Sequence, residues 1–138
     1  MFCGNCGHVV PSTNNFCSRC GHPINHDFVT EEREGVFVIE AATKNIDYTN
    51  HGELTSIFNR IKRKRIIIDL SKVEFIDSTG IGTLVTLYYK TTRTKQQIIV
   101  VGVQTGPMNA MKALGVDNLI VFADTQEQAF AEWGIISV

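Results

Sequence analysis

From Ile66 to Leu84 the chain reads IIIDLSKVEFIDSTGIGTL: an apolar run, a short polar turn, then Asp77-Ser78-Thr79-Gly80 opening a second apolar pattern. Ile66, Ile67, Ile68 and Leu70 form an aliphatic block of strand length, the pattern of a strand covered on both faces. This predicts a central buried strand. Ile81, Leu84, Val85 and Tyr88 then fall at i, i+3, i+4 and i+7, which predicts a helix with one apolar face and with Thr83, Thr86 and Lys90 pointing elsewhere. Asp77, Ser78 and Thr79 are residue types that accept hydrogen bonds from the first amides of a helix, and Gly80 permits a tight turn, so the four together predict a helix cap.

The same patterning covers the rest of the chain. Phe28–Arg33 and Val36–Glu40 alternate as two strands joined by a hairpin at Glu34-Gly35. Residues 41–48 have no pattern and are expected to form a loop. Asn50 and Glu53 have capping-box spacing ahead of an apolar helical stripe of Leu54, Ile57, Phe58 and Ile61. That helix is expected to run into Arg60-Ile61-Lys62-Arg63-Lys64-Arg65, whose cations would complement the negative end of its dipole. The second helix fades over residues 90–95, and Ile98–Val101 is a further buried strand. Gly106-Pro107 starts a short helix with Met108 and Met111 inward and Gly115 as its stop. Leu119–Phe122 is expected as a last strand. Asp124 or Thr125 caps a final helix, with Gln128 at capping-box spacing from Thr125 and Ala129, Phe130 and Trp133 on its packing face. Strands and helices alternating in this way predict an α/β domain, a mixed sheet with helices packed against it.

Composition limits the partners. With 138 residues, 43% hydrophobic and 20% charged, the chain supports one compact domain and a small appendage. A net charge of -1 gives no overall bias toward nucleic acid or an anionic membrane. No apolar run approaches the roughly 18 residues of a membrane span, and no basic-then-apolar leader is present, so a cytoplasmic protein with no membrane partner is expected. Cys3, Cys6, Cys17 and Cys20 all lie within the first twenty residues. In a reducing compartment, two Cys-x-x-Cys pairs point to one metal ion held by four thiolates rather than to disulfides. The segment has too few large apolar side chains for a core, so ligation must supply most of its folding free energy. A full set of four thiolates leaves no open position, and His8 and His22 are expected to be bystanders. Pro23 and the polar Asn25-His26-Asp27 place a boundary between residues 1–26 and residues 27–138.

The segment FCGNCGHVVPSTNNFCSRCGHPI resembles the short zinc-ribbon domains, which implies Zn2+ in a structural role. The order hairpin, helix, strand, DSTG helix, strand, short helix, strand, helix resembles the STAS domain of bacterial anti-sigma-factor antagonists. IIIDLSKVEFIDSTGIGTL, IIVVGV and MKALGVDNLIVFADTQEQAF carry that likeness. The resemblance implies phosphorylation by an ATP-dependent serine/threonine kinase, often itself an anti-sigma factor, at the residue before the Gly of the turn, with a phosphatase reversing it. Here that residue is Thr79. Ser78 is its neighbour and second choice, Asp77 matches the adjacent carboxylate, and Asp77, Ser78, Thr79 and Gly80 together match the partner-binding turn. A phosphate adds about -1.5 to -2 charges, which a helix amino terminus tolerates but a partner surface fitted to a neutral hydroxyl does not. Two departures stand out. Glu40-Ala41-Ala42-Thr43-Lys44 replaces the Gly-x-[LI]-Asp type of turn usual after the second strand, and Thr at residue 79 is closer to the stressosome scaffold branch. The additional ribbon leaves room for docking or self-association.

Two other classes fit less well. A nucleic-acid-binding or scaffold role would use the ribbon and the Arg60 to Arg65 run, but no aromatic residues interleave that run as a stacking surface, and Arg19 is the only Lys or Arg before Arg33. Catalysis has no machinery. Asp77 has no second carboxylate motif for an aspartic dyad, Gly80-x-Gly82 lacks the third glycine of a dinucleotide turn, and the cysteines are taken by metal.

Overall fold

The hairpin that opens the larger domain turns at Glu34 and Gly35, both at positive φ (52° and 78°), as a two-residue loop matched to strand twist requires. In the computed structural model, which describes residues 6–9, 17–21 and 27–134, strands β1 (Phe28–Arg33) and β2 (Val36–Ala41) flank this turn. There follow β3 (Asn45–Ile46), α1 (His51–Asn59), β4 (Arg65–Asp69), β5 (Phe75–Ile76), α2 (Ser78–Thr94), β6 (Gln97–Val101), α3 (Thr105–Ala113), β7 (Phe122–Ala123) and α4 (Gln126–Glu132). The main sheet has the order β1-β2-β4-β6-β7, antiparallel only between β1 and β2. The sheet is mixed and β4 is its central strand, as the aliphatic block predicts.

Directly paired residues share a face of a sheet, and the register sorts the core into two halves. Ile39, Ile68 and Val100 stand side by side and face α1, α2 and α3, where Leu54, Ile57, Ile81, Leu84, Leu87 and Met111 join them. Val38, Ile67 and Ile99 stand side by side on the other face under Ala129 and Phe130 of α4. Of the two caps expected for α4, Asp124 and Thr125, it is Thr125 that serves, accepting from the Gln128 amide at 3.2 Å. Arg33 adds a tether, donating to Gln126 Oε1 at 2.7 Å while Gln126 Nε2 donates to Asp69 at 2.7 Å.

Five expectations need correction. Residues 41–48 are not all loop: Asn45 and Ile46 pair in parallel with Phe75 and Ile76 as a separate two-stranded sheet. Asn50 does not cap α1 with its side chain; it accepts from the Asp47 amide at 2.9 Å and donates to Asp27 and to the Asn45 carbonyl instead. The basic run lies beyond α1, which ends at Asn59 with no cation in its last turn. On α2 the buried stripe is Ile81, Thr83, Leu84, Leu87 and Thr91, so Thr83 is inside and Val85 only half-buried. Thr83 tolerates burial because its hydroxyl donates back to the Thr79 carbonyl at 2.9 Å and meets His51 Nδ1 at 3.2 Å. The last strand is displaced to Phe122–Ala123, because Asp117–Leu119 forms a 3-10 turn and leaves Leu119 and Val121 exposed.

Candidate functional site

Asp77 is the N-cap of α2, with extended backbone (φ -87°, ψ 178°) and a carboxylate that accepts from the Gly80 amide at 2.8 Å. Its second oxygen accepts from the Tyr48 amide at 3.2 Å. One side chain thus starts α2 and clips the turn before α1 to it. Ser78 and Thr79 occupy the first two helical positions; Thr79 is exposed. Among the described residues, no hydrogen bond engages either hydroxyl. Thr79 therefore presents its oxygen to solvent at the positive end of a 17-residue helix, where added negative charge is favoured.

Gly80 serves a purpose other than the tight turn expected of it. It is helical, and a methyl group on it would lie 2.7 Å from Ile76 Cγ1 and 2.9 Å from the Ile46 carbonyl oxygen. A side chain there would push the helix off the β3–β5 pair. The close approach sets the height of the Asp77 to Thr79 turn above the domain surface.

Exposed aromatic residues surround this turn, and sequence reasoning missed them. Phe75 is 56% exposed two residues before Asp77, and Tyr48, whose amide is on Asp77, is 75% exposed. Along α2 the outward stripe is Thr79, Gly82, Thr86 and Tyr89, the last 58% exposed. The available signal was Phe75 between the buried Val73 and Ile76, an aromatic side chain in a strand whose neighbour one residue on faces inward. Asp47 also lies near; hydrogen bonds from the Thr49 hydroxyl and amide hold its carboxyl below the usual range.

The cysteine cluster is the second site. The Sγ atoms of Cys6, Cys17 and Cys20 lie within 4.8 Å of one another, with Cys6 and Cys17 3.6 Å apart. Gly7 and Gly21, which follow the two Cys-x-x-Cys motifs, both have φ of 74°. The Arg19 amide donates to Cys17 Sγ at 3.4 Å. Burial pushes the Cys17 thiol up, but hydrogen bonds from the Cys20 and Arg19 amides and from Cys6 outweigh this and leave it lowered. Converging sulfurs, amide donors aimed at one of them and a favoured thiolate fit a soft or borderline metal ion. Cys3, the expected fourth ligand, and His22 lie outside the described residues; His8 stands apart from the cluster.

The basic run does not form one patch. Arg60 Nη2 donates to the Gly7 carbonyl, Arg63 pairs with Glu32 at 2.8 Å, and the Arg65 guanidinium lies 5.8 Å from the Trp133 ring centre. No helix among the described residues is long and apolar enough to cross a membrane.

Comparison with known proteins bears on the family and the fold. The STAS domain family model matches residues 27–129, and a zinc-ribbon domain model matches residues 2–24. An anti-sigma factor antagonist from Mycobacterium paratuberculosis is 23% identical, with 76% of this chain and 91% of that one covered at a TM-score of 0.68. An anti-sigma-factor antagonist (STAS) domain protein from Planctomyces limnophilus is 19% identical over 77% of this chain and 96% of that one, with a TM-score of 0.67. The anti-sigma factor antagonist SpoIIAA, in its unphosphorylated form, is 16% identical over 80% and 99%, with a TM-score of 0.62. At these identities the likeness is one of fold.

Proposed function

This chain belongs to the STAS domain family, with a zinc-ribbon sequence ahead of the domain, and from that premise we propose that it is a non-catalytic, cytoplasmic partner-switching regulator of the anti-sigma-factor-antagonist or stressosome type. Reversible phosphorylation of Thr79 is the switch, with Ser78 as the alternative acceptor. The observation that carries this reading is the exposed Thr79 at the amino end of α2, beside the capping carboxylate of Asp77 and rimmed by Tyr48 and Phe75. Exposed aromatic side chains around a small polar centre are the composition of a protein-binding surface. The partner is an anti-sigma factor or a related serine/threonine kinase, met by this rim while Thr79 is a neutral hydroxyl. Phosphate leaves α2 intact, because its amino terminus accepts an anion, and releases the partner by desolvation and by repulsion added to Asp77. The fold shared with SpoIIAA, a protein described in its unphosphorylated form, supports this reading. The ribbon holds zinc through Cys3, Cys6, Cys17 and Cys20 as a structural and docking element.

The test is co-purification from the native host with wild-type chain and with Thr79→Asp, coupled to mass spectrometry after incubation with ATP and the recovered kinase. A kinase retained by wild type and lost by Thr79→Asp, together with phosphate at residue 79, is the expected result. Equal retention by both chains, or phosphate at neither Thr79 nor Ser78, overturns the switch and leaves a binding module.

A further inference from the structure

The glycines that follow the two Cys-x-x-Cys motifs share one backbone conformation but have different surroundings. At Gly21 an added methyl group would have nothing within 4 Å, whereas at Gly7 it would lie 3.3 Å from Arg60 Nη2 and 3.9 Å from Ser56 Oγ. Gly7, next to Cys6, is therefore pressed onto the carboxyl end of α1. Arg60 is the C-cap residue of α1 and donates through Nη2 to the Gly7 carbonyl. Around that bond Cys6, Gly7, Ser56, Asn59 and Arg60 line an open cleft of about 440 Å³. Asn59, one residue before the latch, accepts from Lys90 of α2 at 3.0 Å.

We propose that Arg60 is a latch that docks the first metal-binding turn onto the end of α1, and that metal loading sets whether the latch is closed. Gly7 directly follows the ligand Cys6. Its carbonyl keeps one direction only while Cys6 is anchored, because a glycine at φ of 74° is otherwise free to leave that conformation. Metal removal thus releases the acceptor from Arg60 and loosens the last turn of α1. By linkage, the bond between Arg60 and Gly7 must tighten metal binding by the same factor. The basic run, expected from sequence to complement the dipole of α1, contributes here through Arg60 an intramolecular contact between the two units. This inference rests on the ribbon binding metal and is independent of any phosphorylation at Thr79.

The experiment uses the full chain loaded with zinc. Backbone amide exchange over residues 56–61 and the rate of zinc release to a chromogenic chelator are compared for wild type, Arg60→Ala and Arg63→Ala, the last because Arg63 pairs with Glu32 and not with the ribbon. Expected are faster exchange at residues 56–61 of wild type once zinc is stripped, Arg60→Ala already fast with zinc bound, and roughly five-fold faster release from Arg60→Ala alone, as for loss of one ordinary solvent-exposed hydrogen bond. Zinc-independent exchange in wild type, or equal release from all three chains, overturns the latch while leaving the metal site standing. A chain that takes up no zinc overturns both.

Discussion

Glu53 is 1% exposed on α1, and neither of its side-chain oxygens has a hydrogen-bond partner among the described residues. Burial first, and then the charge of Asp27, push its carboxyl up to about 8, against a smaller opposite pull from the Phe28 and Asp27 amides. The consequence for stability has a definite sign. Below about pH 4.5 the folded and unfolded chains both hold the proton and nothing is lost. Between there and about pH 8 only the unfolded chain releases it, so stability falls as pH rises and then levels off. Urea midpoints for wild type should therefore decline from pH 5 to pH 8 by the equivalent of a few kcal/mol. In Glu53→Gln, which cannot ionise, this part of the slope should vanish; identical slopes in the two proteins would exclude an uncharged Glu53. Sequence spacing suggested a capping partner for Asn50 at this position. It could not show that Asn50 turns toward Asp27 and Asn45 instead, because the Asp27 contact joins residues distant in the chain and the Asn45 contact depends on the fold of the intervening turn.

At the scale of elements, β7 pairs only with Val100 and Val101, so the first half of β6 has no strand beside it on that edge. The hydroxyl of Tyr88 takes the place of one. It donates to the Ile98 carbonyl at 2.6 Å, lies 3.1 Å from the Val121 carbonyl and accepts from the Val121 amide at 3.1 Å. Its burial raises the phenol well above its ordinary range, so it stays a donor at any working pH. Tyr88→Phe keeps the ring but takes this partner from the Ile98 carbonyl and the Val121 amide, while the Val121 carbonyl keeps the Val100 amide at 2.9 Å, and should lower unfolding free energy by about 1–3 kcal/mol in a denaturant titration. A loss within error of zero would mean that water replaces the phenol. Elements held by local chemistry were legible: the aliphatic block of β4, the Asp77 and Thr125 caps and the Glu34-Gly35 turn. Elements held by distant partners were not. The two-residue strands β3 and β5 exist only because each has the other, and the phase of α2 was misjudged because Thr83 finds Thr79 and His51 to satisfy it.

For the molecule as a whole, among the described residues both halves of the core draw only on residues from Phe28 onward, and no described ribbon residue enters either. The α/β domain should therefore keep its fold without metal. Melting followed by far-ultraviolet circular dichroism should show the main transition displaced by no more than a few degrees when zinc is chelated, while cysteine reactivity toward a thiol reagent rises sharply. Chelation that unfolds the sheet outright would contradict this division. The exposed Thr79 turn, the aromatic rim and the cysteine cluster differ in how far sequence disclosed them. The motifs DSTG and Cys-x-x-Cys were visible as text, whereas Tyr48 and Phe75 join the turn only through Asp77 and the β3–β5 pair.

Among the described residues the sheet is roofed unequally, by three helices above and by the seven-residue α4 below. A lid that short, pinned by Ala129, Phe130 and Trp133 and by Gln126 between Arg33 and Asp69, should be the first part to lift during ordinary thermal breathing. When it lifts, Val36, Val38, Ile67, Ile99 and Val101 become a bare greasy stripe on strands that are still assembled. The route from this protein to clumping therefore starts at its underside, on the face opposite the helices that flank the Thr79 turn.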